Sequence, residues 1–226
     1  MLGMNSPRQP LVALAGGRQM VRELMPPGYK PAESGRSTNV LAQAIIKLEE
    51  LPPDNVAEKD NIRLVVVGKI TQPLEGCACP MGVLGREFLG KLKLSDDEIV
   101  LADMEAGIEH FGRGLETGLD TVLIIVEPSF ESISLAERIR TLANNMGIER
   151  VWAILNKVNS KAITSRLSAE LQERGVIVIG AVPYDKDVFG ACLEGRSLSA
   201  KKGGTGEALH NIVNYLLDPS DIRLHN

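Results

Sequence analysis

Asp103 and Gly107 stand four residues apart in the run DMEAG, directly after the short apolar stretch Glu98 to Ala102. A carboxylate at a strand end suits a magnesium-bound phosphate, because open α/β sheets take ligands beyond the carboxyl ends of their strands. A glycine so soon afterwards lets a backbone amide approach a phosphate oxygen without a Cβ in the way. The same residues equally suit an acidic strand end followed by an ordinary turn. Cys77 and Cys79 flank Ala78 between Gly76 and Pro80. Two thiolates one residue apart can face one point, and thiolates favour soft or borderline metals such as zinc, copper(I) or nickel. A closed tetrahedral site needs four ligands, and a two-fold dimer would supply the other pair by bringing the loop against its own copy. Two small half-buried side chains, or a redox pair, fit the same spacing. Cys192 reads as a core residue of a short helix.

A third group stands at later strand ends. Asn156-Lys157-Val158-Asn159 has the outline of a guanine-reading turn, but that turn needs an acid where Asn159 stands, which disfavours GTP. Asn156 suits adenine, or a plain polar strand end. Pro183 and Asp185, at the next strand end, border the same base pocket. Lys202-Gly203-Gly204-Thr205-Gly206 has the composition of a phosphate loop. Glu207 and Ala208 replace the Lys and the Ser or Thr that such a loop requires, and no strand precedes it, so it reads as a flexible loop.

The elements that must position these residues follow from apolar periodicity. Met1 to Met25 reads as an interrupted helix, and Ser37 or Thr38 caps a second one carrying Val40, Leu41, Ala44, Ile45 and Leu48. Asp54 to Asn61 reads as a charged surface loop. Ile62 to Ile70 is nearly continuously apolar and β-branched, which predicts a buried parallel strand. Val83 to Leu94 is helical, and Glu98 to Ala102 reads as a buried strand. From Thr121 the alternation is regular: strands at Thr121 to Glu127, Val151 to Leu155 and Val176 to Val182, and helices at Phe130 to Met146, Ala162 to Arg174, Asp187 to Leu193 and Gly206 to Leu217. This alternation predicts an α/β fold with a doubly wound, mostly parallel sheet and helices on both faces.

The chain has 226 residues, 44% hydrophobic and 24% charged, which fits one domain of residues 1–226 with a sizeable core. A net charge of −4 and 4% aromatic content give neither the electrostatic footprint nor the stacking platforms of a nucleic-acid binder. No run has the length of a membrane helix and no signal pattern opens the chain. Three cysteines, an odd number, argue for a reducing, cytoplasmic setting.

EGCACPMG, DMEAGIEHFGRG, VEPSFES, ILNKV and VPYD follow one another in the order found in CooC-type proteins. The chain resembles these nickel-insertion ATPases of carbon monoxide dehydrogenase, relatives of the MinD group of P-loop ATPases, over nearly its whole length. The resemblance implies ATP and Mg²⁺ as cofactors, with Asp103 serving the Mg²⁺ and water shell and Gly107 sensing the γ-phosphate. It implies that Asn156, Pro183 and Asp185 hold adenine, with Lys157 in the same nucleotide-binding turn. Cys77 and Cys79 would form half of an intersubunit site for Ni²⁺ or Zn²⁺ in a homodimer that serves carbon monoxide dehydrogenase or a related nickel enzyme. Such proteins begin with a strand and a K-G-G-x-G-K-[ST] loop, neither of which this chain contains. The expectation is therefore an N-terminally incomplete P-loop domain that does not turn over ATP. A non-catalytic, cysteine-dependent metal-binding dimer is the alternative reading.

Overall fold

Why each apolar run does or does not become a strand depends on what pairs with it. The computed structural model describes residues 4–18, 21, 44–69, 79–104, 107–108, 111, 118–198 and 203–217, with the side chain of Cys79 outside that description. The chain divides into two units, Met4–Gly118 and Leu119–Asn226.

In the first unit, helix α1 (Leu11–Leu14) is a single turn. Strands β1 (Val56–Lys59) and β2 (Ile62–Val65) form an antiparallel hairpin that pairs Val56 with Val65 and Lys59 with Ile62. Asp60 and Asn61 join them at φ 52° and 60°. Two central residues with positive φ make the tight turn whose twist matches that of a hairpin, and Asp and Asn tolerate that conformation. The predicted surface loop Asp54 to Asn61 is thus largely strand and turn. The predicted parallel strand Ile62 to Ile70 is a short antiparallel one. Its continuation is hydrogen-bonded by α1, because the amides of Leu11 and Val12 donate to the carbonyls of Val66 and Val67 at 2.8 and 3.0 Å.

Helix α2 (Cys79–Lys91) matches the predicted helix, beginning four residues earlier and ending three earlier. Its Leu84 and Phe88 join Leu11, Ala15, Val21, Ile46 and Leu51 in a buried cluster. Ile46 makes a parallel bridge to Leu92, and a 3₁₀ turn follows at Leu48–Glu50, so the described end of the second predicted helix is not helical. Asn55, 1% exposed, donates from Nδ2 to the carbonyls of Gln9 and Pro10 at 3.1 and 3.2 Å. The predicted strand Glu98 to Ala102 has no ladder among the described residues. Ile99 and Leu101 are exposed, Leu101 at 84%, while Glu98 is drawn into an ion pair with Arg63.

The second unit carries the predicted parallel sheet. Strands β3 (Thr121–Val126), β4 (Arg150–Val158) and β5 (Ile177–Pro183) lie in the order β3-β4-β5, all parallel. Helices α3 (Phe130–Asn145) and α4 (Lys161–Glu173) pack on the sheet and on each other. Helix α5 (Lys186–Glu194) follows β5, and α6 (Gly204–Leu216) packs against β5. Each strand-to-helix turn ends in a side chain that caps the next helix. Ser129 accepts from the Ser132 amide, Ser160 from that of Ile163, and Asp185 from those of Asp187 and Val188. Such caps satisfy amides that the helix leaves unpaired.

Val126, Ala153, Leu155, Leu167, Leu171 and Val176 fill the space between sheet and helices. Gly180 on β5 lets α6 approach so closely that an added Cβ would lie 2.3 Å from Ile212. At the far end of α6, Tyr215 meets Trp152 edge to face at 5.4 Å, and Arg150 stacks over the same indole at 4.8 Å. Both contacts lie in the last two turns of α6, so its C-terminal part is fixed against the sheet.

Candidate functional site

The carboxyl ends of β4 and β5 open into a cleft of about 650 Å³, within the range of small-molecule pockets. Val158, Ala181 and Pro183 contribute from the strands, and Tyr184 follows immediately after β5. Asn159, Ser160, Lys161 and Thr164 come from the turn and first residues of α4. Gly204, Glu207, Ala208 and Asn211 come from α6 at the i, i+3, i+4, i+7 spacing of a single helix face. Ser160 and Thr164 are engaged in local hydrogen bonds of α4. Asn159 and Asn211 bring carboxamides, and Glu207 a carboxylate. Flat apolar groups beside amides that both donate and accept suit a planar heteroaromatic ring.

Two features hold this edge in shape. The pairing of β4 with β5 shifts register between Leu155 and Val158, and Lys157 within that shift has φ 57°. Such irregularities re-aim side chains at the ends of strands. Lys157 Nζ meets a carboxylate oxygen of Glu127, just past β3, at 2.6 Å. The hydrogen bond to Glu127, and then its charge, hold the ammonium above the usual lysine range. Asp185 is the second. Its Oδ1 accepts the Asp187 and Val188 amides at 2.8 and 3.2 Å, and its Oδ2 accepts the Thr205 hydroxyl at 2.8 Å. The Thr205 hydrogen bond, followed by those from Val188 and Asp187, holds this carboxyl below the usual range.

The residues singled out from the sequence divide accordingly. Pro183 lines the cleft. Asn156 lies half-buried inside β4, which runs three residues past its predicted end, and is not among the residues lining the cleft. Lys157 pairs with Glu127, and Asp185 caps α5 with both oxygens engaged. In the other unit, Asp103 is exposed, and Gly107 has φ 114° with nothing within 4 Å of the place a Cβ would take. Cys77 lies outside the described residues; Cys79 opens α2 through its backbone alone. Cys192, read as core, is an exposed thiol. Among the described residues, no group of three or more His, Cys, Asp or Glu stands ready to hold a metal ion, and no helix is long and apolar enough to cross a membrane.

Tyr184, Glu207 and Asn211 were missed as pocket residues. The α6 spacing was there to be read, but only β5 decides which face of that helix meets the cleft.

No family model matches the chain. It is similar to an uncharacterised ATP-binding protein of Methanocaldococcus jannaschii, 38% identical over 201 residues, 89% of this chain and 77% of that protein. It is also similar to the carbon monoxide dehydrogenase accessory protein CooC of Rhodospirillum rubrum, 29% identical over 172 residues, 76% of this chain and 65% of that one. Among solved structures, the MinD cell division protein of Aquifex aeolicus matches 50% of this chain and 48% of its own, with 19% identity and a TM-score of 0.41.

Proposed function

Because the chain belongs to the MinD-like P-loop family of ATP-binding proteins, we propose that it binds magnesium–ATP and acts as a cytosolic metal-handling dimer. Its service would be delivery of nickel to carbon monoxide dehydrogenase or a related nickel enzyme. The observation that carries the nucleotide part is the cleft at the carboxyl ends of β4 and β5, where an α/β sheet receives its ligand. The base would lie against Pro183 and Tyr184.

Asn156 and Asp185 would then act from behind this pocket, Asp185 by holding the first turns of α5 and α6. Lys157 would hold the strand-end turn through Glu127. Asp103 offers hard carboxylate oxygens, which fit a hard cation such as Mg²⁺. Gly107 leaves its backbone open on the side where a Cβ would stand, which fits a γ-phosphate contact. When bound, Mg²⁺ neutralises phosphate charge.

The nickel part is supported by the likeness to the accessory protein of carbon monoxide dehydrogenase and by the C-x-C spacing of Cys77 and Cys79. Nickel is cargo in this reading. One such pair from each of two copies supplies the four thiolates of a closed site, which zinc would also fill.

Light scattering on the full chain, with and without Mg²⁺-ATP, tests both parts together with metal titration. ATP should shift monomer to dimer, and Asp103→Asn should abolish the shift. Cys77→Ser should remove nickel binding and leave ATP binding in place. A dimer whose mass ignores ATP, yet still binds metal through Cys77, would replace this reading with a nucleotide-independent metal-binding dimer.

A further inference from the structure

The cleft carries more than a place for a nucleotide. Its polar rim comes from two elements far apart in sequence: Asn159 from the turn between β4 and α4, and Asn211 from the second turn of α6. Both side chains are exposed, and among the described residues neither is committed to a protein partner. The other polar groups are less free to read a base. Ser160 caps α4, and the Thr164 hydroxyl donates to the Ser160 carbonyl. Asp185, expected at the base, spends both oxygens on α5 and Thr205. Glu207, an acceptor only, sits on the same α6 face and opposes an anionic phosphate chain there. The cleft therefore suits the uncharged end of a nucleotide.

We propose that Asn159 and Asn211 form the base-reading pair of this cleft and that they select adenine over guanine nucleotides. The inference rests on the ATP-binding reading above and names the residues that give it specificity. A carboxamide offers one donor and one acceptor side by side. Adenine presents a matching acceptor and donor on both of its edges, N7 with the 6-amino group and N1 with the same group. Guanine presents two acceptors, N7 and O6, on the first edge, so one of two carboxamides meets a like group there. Two amides thus match adenine twice and guanine once. Asn159, which argues against guanine in the sequence for want of an acid, becomes a positive determinant here. Pro183 and Tyr184 add apolar surface that either purine would use, so they give affinity without choice.

Isothermal titration of the full chain with Mg²⁺-ATP, Mg²⁺-GTP and inorganic triphosphate tests the assignment. Both asparagines are exposed, so substitution should leave the melting temperature unchanged. The wild-type chain should prefer ATP. Asn211→Ala should weaken ATP about tenfold, the equivalent of roughly 1.4 kcal/mol, and leave GTP and triphosphate binding as they were. Asn159→Asp should move the preference towards GTP, because a carboxylate accepts from the two guanine donors, N1–H and the 2-amino group. Wild-type ATP binding with an unchanged ATP-to-GTP ratio in both variants would overturn the base-reading pair and leave the ATP reading standing. Equal losses for ATP and triphosphate would also overturn it, since the asparagines would then act on the whole site. A wild-type chain that binds none of the three would take down both readings.

Discussion

Gly180→Ala, the addition of a single methyl group, should destabilise the residue 119–226 unit. The added Cβ would lie 2.3 Å from Ile212 Cγ1 and 2.8 Å from its Cδ1, well inside any real contact. Ile212 is 3% exposed, so its side chain has no solvent-facing space to swing into. Relief must come from moving α6, which is also held one turn further on by the packing of Tyr215 on Trp152. Overpacking of this kind costs about 1–3 kcal/mol. In a chain of this size each kcal/mol shifts the melting temperature by about 2–4 °C, so the variant should melt roughly 2–12 °C lower. The same displacement carries Glu207 and Asn211 away from the cleft, so ATP affinity should fall with stability. Thermal unfolding of Gly180→Ala, Ile212→Ala and the double variant forms the assay. The alanine at 180 should cost much less once Ile212 has been shortened, because the clashing atoms are gone. A single variant that melts within 1 °C of wild type, or an equal cost in both backgrounds, would refute the packing argument.

Other expectations follow from single residues. Leu171→Ala, at a position with 0% exposure, should cost about 2–5 kcal/mol in chemical denaturation through the cavity left between α4 and the sheet. Asn55→Leu removes two hydrogen bonds, to the carbonyls of Gln9 and Pro10; Pro10 keeps the Ala13 amide, so the loss falls mainly at Gln9 and should lower the stability of the residue 4–118 unit by about 1–3 kcal/mol. For Asp185 the folded pKa is depressed, so its contribution is present above the unfolded carboxylate value, near pH 4, and is lost as pH falls through the lower folded value. Asp185→Asn should therefore flatten the acid limb of the stability profile below about pH 4 and leave the profile above that limb parallel to wild type.

Much of the second unit was legible because its local signals agree with its tertiary ones. Ser129 and Ser160 cap helices whose apolar stripes end at glycines, and the strands between them are apolar along their length. The first unit was harder to read. The apolar run after Asn61 dominated the pattern, while the Asp60-Asn61 turn that folds it back on Val56–Lys59 passed as loop. Ile99 and Leu101 carry the composition of a strand, yet a ladder requires a neighbour that composition does not name. Arg63, 35 residues earlier, decides instead where Glu98 goes. At the candidate site, the place of Pro183 at the cleft could be read from the sequence because strand ends border the cleft. For Asp185 the sequence did not show the helix cap, because a cap and a ligand contact use the same carboxylate. Asn211 was hidden because the orientation of α6 depends on how Ile212 meets Gly180 of β5, which the sequence of α6 alone does not name.

The double engagement of Asp185 has a consequence for motion at the cleft. One carboxylate closes the first turn of α5 with one oxygen and holds Thr205 in the first turn of α6 with the other. Any opening that lifts the start of α6 from the cleft pulls on the carboxylate whose other oxygen protects the Asp187 and Val188 amides. The two helix starts therefore form one cooperative opening unit, whose amides exchange with solvent at a common rate. A ligand that presses on α6 through Glu207 or Asn211 would slow exchange at α5, a helix that supplies no residue to the cleft.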